Sequence, residues 1–222
     1  MSKLLSDGLS HFNIQLADEI IRNEMLFLDE LLRWNRSINL TSITRYDDAI
    51  EKHLVDSLLL LPHLGQIEKM IDLGSGGGLP GIPLAIAVAN LQVVSIDSVG
   101  KKINFQRHLK RFLSLDNLYI EQSRAEQLSS SMLDQESFDL VVARAFTSLE
   151  RLLGYASPWL KPGGRVIAMK GPEGSCELQS VQPIIQQYRF NDPAVFSYKL
   201  PFSQAERQLL VLKKMASENY RE

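Results

Sequence analysis

The stretch from Met70 to Ile86, M-I-D-L-G-S-G-G-G-L-P-G-I-P-L-A-I, constrains the fold more than any other part of the chain. A short apolar run enters it and an apolar, helix-compatible run leaves it. Between them stand four glycines in five positions, Gly74 to Gly78, followed by Pro80 and Gly81. Strand, glycine turn, helix is how an α/β protein presents a helix N-terminus to a ligand. Glycines let the backbone approach without a Cβ in the way. The stretch reads as a nucleotide-cofactor site.

The rest of the chain falls into two parts around it. Residues 1–13 are mixed and are expected to fray. From Gln15 to Asn35 the pattern is helical, with Ile21, Met25, Leu28 and Leu32 on one face. Trp34 to Ile43 is rich in Asn, Ser and Thr, which favours turns over continued helix. A second helix is expected from about Asp47 to Leu61, with Pro62 after it. Residues 1–65 therefore read as a helical N-terminal extension and residues 66–222 as a Rossmann-like domain.

From Lys69 strands and helices alternate. Strands are expected at Met70–Leu73, Gln92–Asp97, Leu118–Glu121, Phe138–Ala143 and Arg165–Met169. Helices are expected from the glycine turn to about Ala89, over Gly100–Leu113, from Ala125 to Leu128, near Ser148–Leu160 and around Glu177–Tyr188. Phe105, Leu109, Phe112 and Leu113 are expected to face inward. Lys161-Pro162-Gly163-Gly164 should end one helix and introduce the fifth strand. Val195–Leu200 and Gln208–Lys213 are spaced for a hairpin that adds an antiparallel edge. Repeating βα units imply a mostly parallel seven-stranded sheet covered by helices, with ligands beyond the C-terminal strand ends.

Composition bounds the function. At 222 residues, one domain plus an extension is expected. No apolar run approaches the roughly 20 residues of a membrane span, and residues 1–13 lack the basic start and apolar core of a signal peptide. A single cysteine, Cys176, rules out an internal disulfide or a cysteine-based zinc cluster and suits a reducing cytoplasm. His53 and Asp56 are too few for a metal site, and no metal is expected. They are expected instead to tie the N-terminal helices to the sheet near the pocket, with a lid over the substrate as the alternative. With a net charge of −2, nucleic acid would have to meet a local basic patch.

Two cofactors compete for the turn. Gly76-Gly77-Gly78-Leu79-Pro80-Gly81 satisfies the dinucleotide pattern G-x-G-x-x-G, and an acid ends the next strand. Asp72, Gly74, Gly76 and Gly78 also satisfy D-x-G-x-G-x-G, the S-adenosylmethionine turn. The second is favoured. A carboxylate at Asp72 repels a pyrophosphate but suits a cationic aminoacyl group. The turn has no basic residue of the P-loop kind. The K-P-G-G segment and the terminal hairpin match the layout of class I methyltransferases, so residues 66–222 read as a Rossmann-like methyltransferase domain.

Asp97 lies nineteen positions after Gly78, at the end of the second strand, where a carboxylate can accept two ribose hydroxyls; a helix cap is its blander role. Ser98 is expected to cap the following helix. Backbone at Ala125 and Glu126 can read an adenine edge, or merely begin a helix. Arg144 directly follows the fourth strand and overlooks the transferred methyl in this architecture. An unpaired buried Arg is costly, so a functional role is favoured. Trp34 is assigned to packing ahead of base stacking. The basic groups Arg33/Arg36, Arg107/Lys110/Arg111 and Arg124/Arg144/Lys170 are solvated faces or RNA contacts, the last being the better candidate for RNA.

Asp72–Ile86, the Trp34–Thr41 stretch W-N-R-S-I-N-L-T, His53-x-x-Asp56-Ser57, Arg144-Ala145-Phe146 and Met169-Lys170-Gly171 together resemble the RsmG (GidB) family of bacterial 16S ribosomal RNA guanine-N7 methyltransferases. The L-P-G-I-P continuation is far more specific than the glycine turn. The resemblance implies S-adenosylmethionine contacts at Gly74, Leu79, Ala125, Glu126 and Arg144, and a guanine in the decoding-region loop of the small subunit as substrate. Ser123 stands where many relatives have Gly before R-x-E, a change a backbone contact should survive. The expected protein is a cytoplasmic monomer, with 16S rRNA or the small subunit as partner and no protein partner. Another methylation substrate, or a noncatalytic ribosome-assembly module, is the alternative. A nicotinamide-dependent oxidoreductase is disfavoured, since no second glycine motif or Tyr-x-x-x-Lys relay is present.

Overall fold

The structure is a computed structural model that describes residues 2–216. Helices α1 (Ser2–Ser10) and α2 (Asp18–Asn35) come first. A continuous helical run follows: α3 (Tyr46–Ala49), a π-helical segment (Ile50–Val55) and α4 (Asp56–Leu58). After α5 (Leu61–Leu64) the alternation begins with β1 (Lys69–Leu73), α6 (Gly81–Ala87), β2 (Gln92–Asp97), α7 (Gly100–Phe112) and β3 (Leu118–Gln122). A 3-10 turn (Ala125–Gln127) leads to β4 (Phe138–Arg144), α8 (Leu149–Ala156) and β5 (Leu160–Lys170). A second 3-10 segment (Gly174–Leu178), α9 (Gln182–Gln187), β6 (Ala194–Lys199) and β7 (Glu206–Lys213) complete it.

The seven strands form one sheet in the order β3-β2-β1-β4-β5-β7-β6. β1 to β5 pair in parallel, and β7 runs antiparallel between β5 and β6. Alternation along β1 sorts its side chains to two cores. Met70 packs with Leu5, Phe27, Leu31, Leu54 and Phe105, while Ile71 and Leu73 pack with Leu149, Leu153 and Trp159. The order reverses between β1 and β4, which is where an open parallel sheet forms its ligand crevice. Among the described residues, no helix is long and apolar enough to cross a membrane.

Several local expectations are corrected. Residues 2–10 do not fray: Leu5 and Leu9 are fully buried, and that burial outweighs weak helix signals. The helix expected to end at Leu61 breaks after Leu58, and Pro62 enters the first turn of α5, where its missing N–H costs nothing. α6 stops at Ala87 and α8 at Ala156. Lys161–Gly164 belongs to β5, beside a register shift opposite Phe138 and Leu140. The expected Glu177–Tyr188 helix is a 3-10 segment and a short α9. Phe112 points outward and is 48% exposed.

The N-terminal helices also grip the terminal hairpin. The buried Glu51 carboxylate accepts from the Phe202 N–H at 2.6 Å and the Ser203 N–H at 2.9 Å. Asp56 takes the Tyr198 hydroxyl at 3.2 Å and faces Arg207 at 3.6 Å.

Candidate active site

Beyond the C-terminal ends of β1, β2 and β4 lies a cleft of about 360 Å³. One wall is Gly74, which leaves β1 with φ +75°. A Cβ there would stand 2.1 Å from the Phe146 ring, so only glycine lets that ring close over the turn. Phe146 is aimed by Ala145, a non-glycine residue at φ +48°. Backbone held in that region costs energy and is concentrated at functional sites.

The turn is tied to β2. The N–H groups of Gly74 and Ser75 both donate to the Ile96 carbonyl at 2.9 Å. Asp97 accepts from the Gly76 N–H through Oδ2 at 2.8 Å and from the Val99 N–H through Oδ1 at 2.8 Å. Each oxygen keeps a second lone pair for a ligand, and the carboxylate lines the cleft. Ser98 also lines it but caps nothing: α7 begins at Gly100 with Val99 in the cap position.

Beneath the turn runs a buried polar chain. The Ser95 hydroxyl donates to Gln106 Oε1 at 2.6 Å. Gln106 Nε2 donates to Ser75 Oγ at 2.8 Å and to the Gly76 carbonyl at 2.9 Å. Gln106 and Ser95 are fully buried and Ser75 nearly so. Neither Gln106 nor Ser95 stands out in the sequence, where each is one polar residue on an otherwise ordinary helix or strand.

Asp72 lies deeper. It is fully buried, and Oδ2 accepts from the Gly81 N–H at 2.8 Å. Gly81 permits this approach, since a Cβ there would sit 2.7 Å from that oxygen. Oδ1 has no partner among the described residues. Burial pushes the carboxyl up to about 7, opposed by the Gly81 N–H and by Arg144.

The predicted site residues divide. Gly74, Asp97, Ser98, Ala125 and Glu126 line the cleft together. Asp72, Gly76, Gly78, Leu79 and Arg144 stand outside the lining, and Leu79 is 5% exposed. Sequence reading passed over Lys102 as a cleft residue, had Ala145 and Phe146 only as part of the R-A-F motif, and had Ser123 and Arg124 only as a backbone contact and a basic strand-end residue. The Glu126 carboxylate accepts from Tyr155 at 3.0 Å.

Arg144 is drawn toward the N-terminal helices. Its Nη1 donates to the Lys52 carbonyl at 3.1 Å and lies 3.4 Å from Asp56 Oδ2, and Nη2 is 3.5 Å from His53 Nδ1. His53 Nε2 pairs with the Thr41 hydroxyl at 2.8 Å. Burial, then the Arg144 charge, pushes His53 down to about 3, so it is neutral. His53 and Asp56 thus join the π-helical segment and α4 to the strand end that carries Arg144, the tie expected from their spacing. Trp34 packs on Phe105, with ring centroids 5.5 Å apart.

Comparison with known proteins adds the chemistry. Solved structures share the fold. A SAM-dependent methyltransferase from Aquifex aeolicus is similar at TM-score 0.55 and 17% identity, over 74% of this chain and 92% of that one. M. jannaschii TYW2, solved in complex with AdoMet, is similar at TM-score 0.52 and 14% identity, over 66% of this chain and 67% of that one. In sequence, the chain is 43% identical to ribosomal RNA small subunit methyltransferase G of Syntrophotalea carbinolica, over 96% of this chain and 98% of the relative. It is 39% identical to the protein of the same name from Geobacter metallireducens, over 94% of each. The family model described as GidB, rRNA small subunit methyltransferase G, matches residues 21–210. With that match running from α2 into β7 and the glycine-turn cleft at its centre, the chain belongs to the rRNA small subunit methyltransferase G (GidB) family.

Proposed function

We propose that this methyltransferase transfers a methyl group from S-adenosylmethionine to N7 of a guanine in the decoding-region loop of 16S rRNA. It would act in the cytoplasm as a monomer, on RNA or on the small subunit. The observation that carries the reading is the pairing of a Cβ-free turn at Gly74 with the Asp97 carboxylate across one cleft, in a chain of this family. Residues 1–65 serve as a helical extension and 66–222 as the Rossmann-like catalytic domain.

The residues present fit the cofactor. Asp97 retains acceptor capacity for ribose hydroxyls, with Ser98 beside it. Backbone at Ala125 and Glu126 offers donors and acceptors to an adenine edge. Asp72 keeps an unpaired oxygen behind the turn, suited to a cationic amino group reached through water. Gly76, Gly78 and Leu79 continue the turn behind the lining residues and are assigned to the same cofactor. When bound, S-adenosylmethionine supplies a methyl group already activated by its sulfonium.

Guanine N7 has a lone pair and no proton to lose before attack. No residue here has to act as a general base, and positioning with electrostatics does most of the work. Arg144 is held at a fixed place by Lys52 and Asp56 beside the cleft residues Ala145 and Phe146. Guanine O6 accepts from Arg donors, so Arg144 is assigned to steering base or cofactor. The target guanine must leave any stack to reach the cleft.

Incubation with labelled S-adenosylmethionine and undermethylated small subunits, followed by nucleoside analysis, tests this reading. Label is expected in 7-methylguanosine. Its absence there overturns the assignment.

A further inference from the structure

Two basic segments far apart in sequence meet on one face. The last turn of α2 carries Arg33, followed by Arg36, and α7, which has no acidic residue, carries Lys101, Arg107 and Arg111, while its Lys110 turns to the Leu118 carbonyl of β3 at 2.6 Å. Glu30 joins them, accepting from Arg33 and from His108 Nε2, the latter at 2.6 Å. Partial burial pushes the Glu30 carboxyl up, but hydrogen bonds from Arg33 and His108 outweigh it and hold it below the usual range. Glu30 is therefore an ionised, doubly engaged partner, and Asp29 beside it accepts from the Tyr46 hydroxyl at 2.6 Å. Arg36, Arg107 and Arg111 are exposed, and the Arg33 side chain is 61% exposed.

An aromatic ladder crosses the same junction. His108 stands 5.0 Å from Trp34 and 5.7 Å from Phe112, the latter pair stacked at 17°. Phe112 ends the ladder with an open ring face, against the inward direction its spacing predicts. Beside Arg33 and Arg36 lies a hollow of about 470 Å³ that Asp29, Thr44 and Tyr46 also line. At the other end of α7, Lys102 lines the cofactor cleft. From Lys102 to Arg111 the helix advances about 14 Å, a distance of two or three nucleotides.

Arginines in excess of the two acids, Asp29 and Glu30, that are already hydrogen-bonded here fit a polyanion, and an exposed aromatic ring flanked by arginines fits the π-face of an unpaired base. We propose that the α2–α7 face is an RNA-docking surface, on which Arg33, Arg107 and Arg111 take phosphates and Phe112 stacks a base of the looped RNA flanking the target. The occupant is RNA because the proposed function makes it the substrate, and the inference rests on that reading. An acidic protein partner would use the charges but has less call on the ladder.

The test uses the full chain and an unmethylated small-subunit RNA transcript. Affinity is measured across a salt series for wild type, Arg107→Ala/Arg111→Ala and Phe112→Ala. S-adenosylhomocysteine binding is measured alongside, and should be unchanged if fold and cleft are intact. The double variant is expected to bind RNA about tenfold more weakly, its salt dependence shallower by roughly 1.5 for two lost phosphate contacts. Phe112→Ala is expected to weaken binding about tenfold with the salt slope unchanged, as for a lost stack. RNA affinity and salt slope equal to wild type in both variants would overturn the proposal and leave the face to a protein partner or to solvent. Wild-type formation of 7-methylguanosine reads the activity separately, so its failure falls on the proposed function and not on this surface.

Discussion

Gln106 holds the Gly76 carbonyl at 2.9 Å, while Asp97 holds the N–H of the same residue at 2.8 Å. One glycine of the turn is thereby pinned at both its polar groups, by a helix and by a strand. Removing Gln106 alone orphans the Ser95 hydroxyl, whereas removing both partners of a buried hydrogen bond is close to neutral for stability. Gln106→Met/Ser95→Ala removes that pair together but leaves Ser75 Oγ and the Gly76 carbonyl without the Gln106 donor, so it is expected to fold with a loss of about 1–3 kcal/mol of stability. Its S-adenosylhomocysteine affinity should drop about tenfold, roughly 1.4 kcal/mol, because the turn has lost its support. Calorimetry gives the affinity, and kcat at saturating cofactor should be unaffected. Unchanged affinity would reduce Gln106 to core packing.

Gly74→Ala places a Cβ 2.1 Å from Phe146 at a φ of +75°. Clash and backbone strain act together, so the expected loss is about 1–3 kcal/mol of stability and most of the cofactor affinity. Gly171→Ala is the control, since nothing lies within 4 Å of its Cβ position. Denaturant melts and ligand titration of the two variants side by side check this. Equal behaviour would show that Phe146 moves aside freely.

Asp72 gives stability a pH dependence of unusual sign. Its folded value of about 7 lies above the ordinary carboxylate value, near 3.9. Between those values the folded protein holds a proton that the unfolded chain has released. Stability therefore falls as pH rises through that window. Asp72→Asn cannot titrate. Its stability relative to wild type is expected to rise from about pH 4 to about pH 7, by roughly 4 kcal/mol at 1.4 kcal/mol per unit. His53, held low by burial, works in the opposite direction, losing stability as pH falls below its ordinary value. That contribution is common to both proteins and cancels in the difference. Urea melts across the range measure it, and a difference independent of pH would mean that Asp72 ionises as easily folded as unfolded.

Arg144→Ala removes the cation that sits between Lys52, His53 and Asp56. Asp56 keeps Tyr198 and Arg207 as partners, so the fold should survive. Methyl transfer is expected to fall by about 100-fold, the scale of a lost positioning contact. Single-turnover rates on undermethylated subunits check it, and a near-normal rate would remove Arg144 from its assigned role.

What the sequence revealed was what depends on neighbours in the chain. The glycine turn and the acid ending β2 are local patterns that place the cleft, and the βα alternation with its terminal hairpin gives the mostly parallel sheet, though not its strand order. What stayed hidden depends on distant partners. Leu5 and Leu9 make a helix stable only because a core waits for them. Gln106 resembles any polar helix residue until Ser75 and Ser95 are brought against it. Ile50–Val55 has the same apolar spacing as an α-helix, and nothing in it announces a wider π turn. Phe112 fell on the expected inward face by periodicity, yet α7 ends before the core reaches it.

The position of β1 at the centre of the sheet has a consequence for how the chain folds during synthesis. β1 pairs with β2 on one side and with β4 on the other, and Asp139 of β4 accepts from the N–H groups of Glu68 and Lys69 at its start, 71 and 70 residues away. Parallel pairing over such separations is slow, because loop closure precedes any reward from contact. The glycine turn is written in the first third of the chain, but the strand beneath it gains its second neighbour only after β4 has emerged. A nascent chain halted before Phe138 would hold the motif without the cleft.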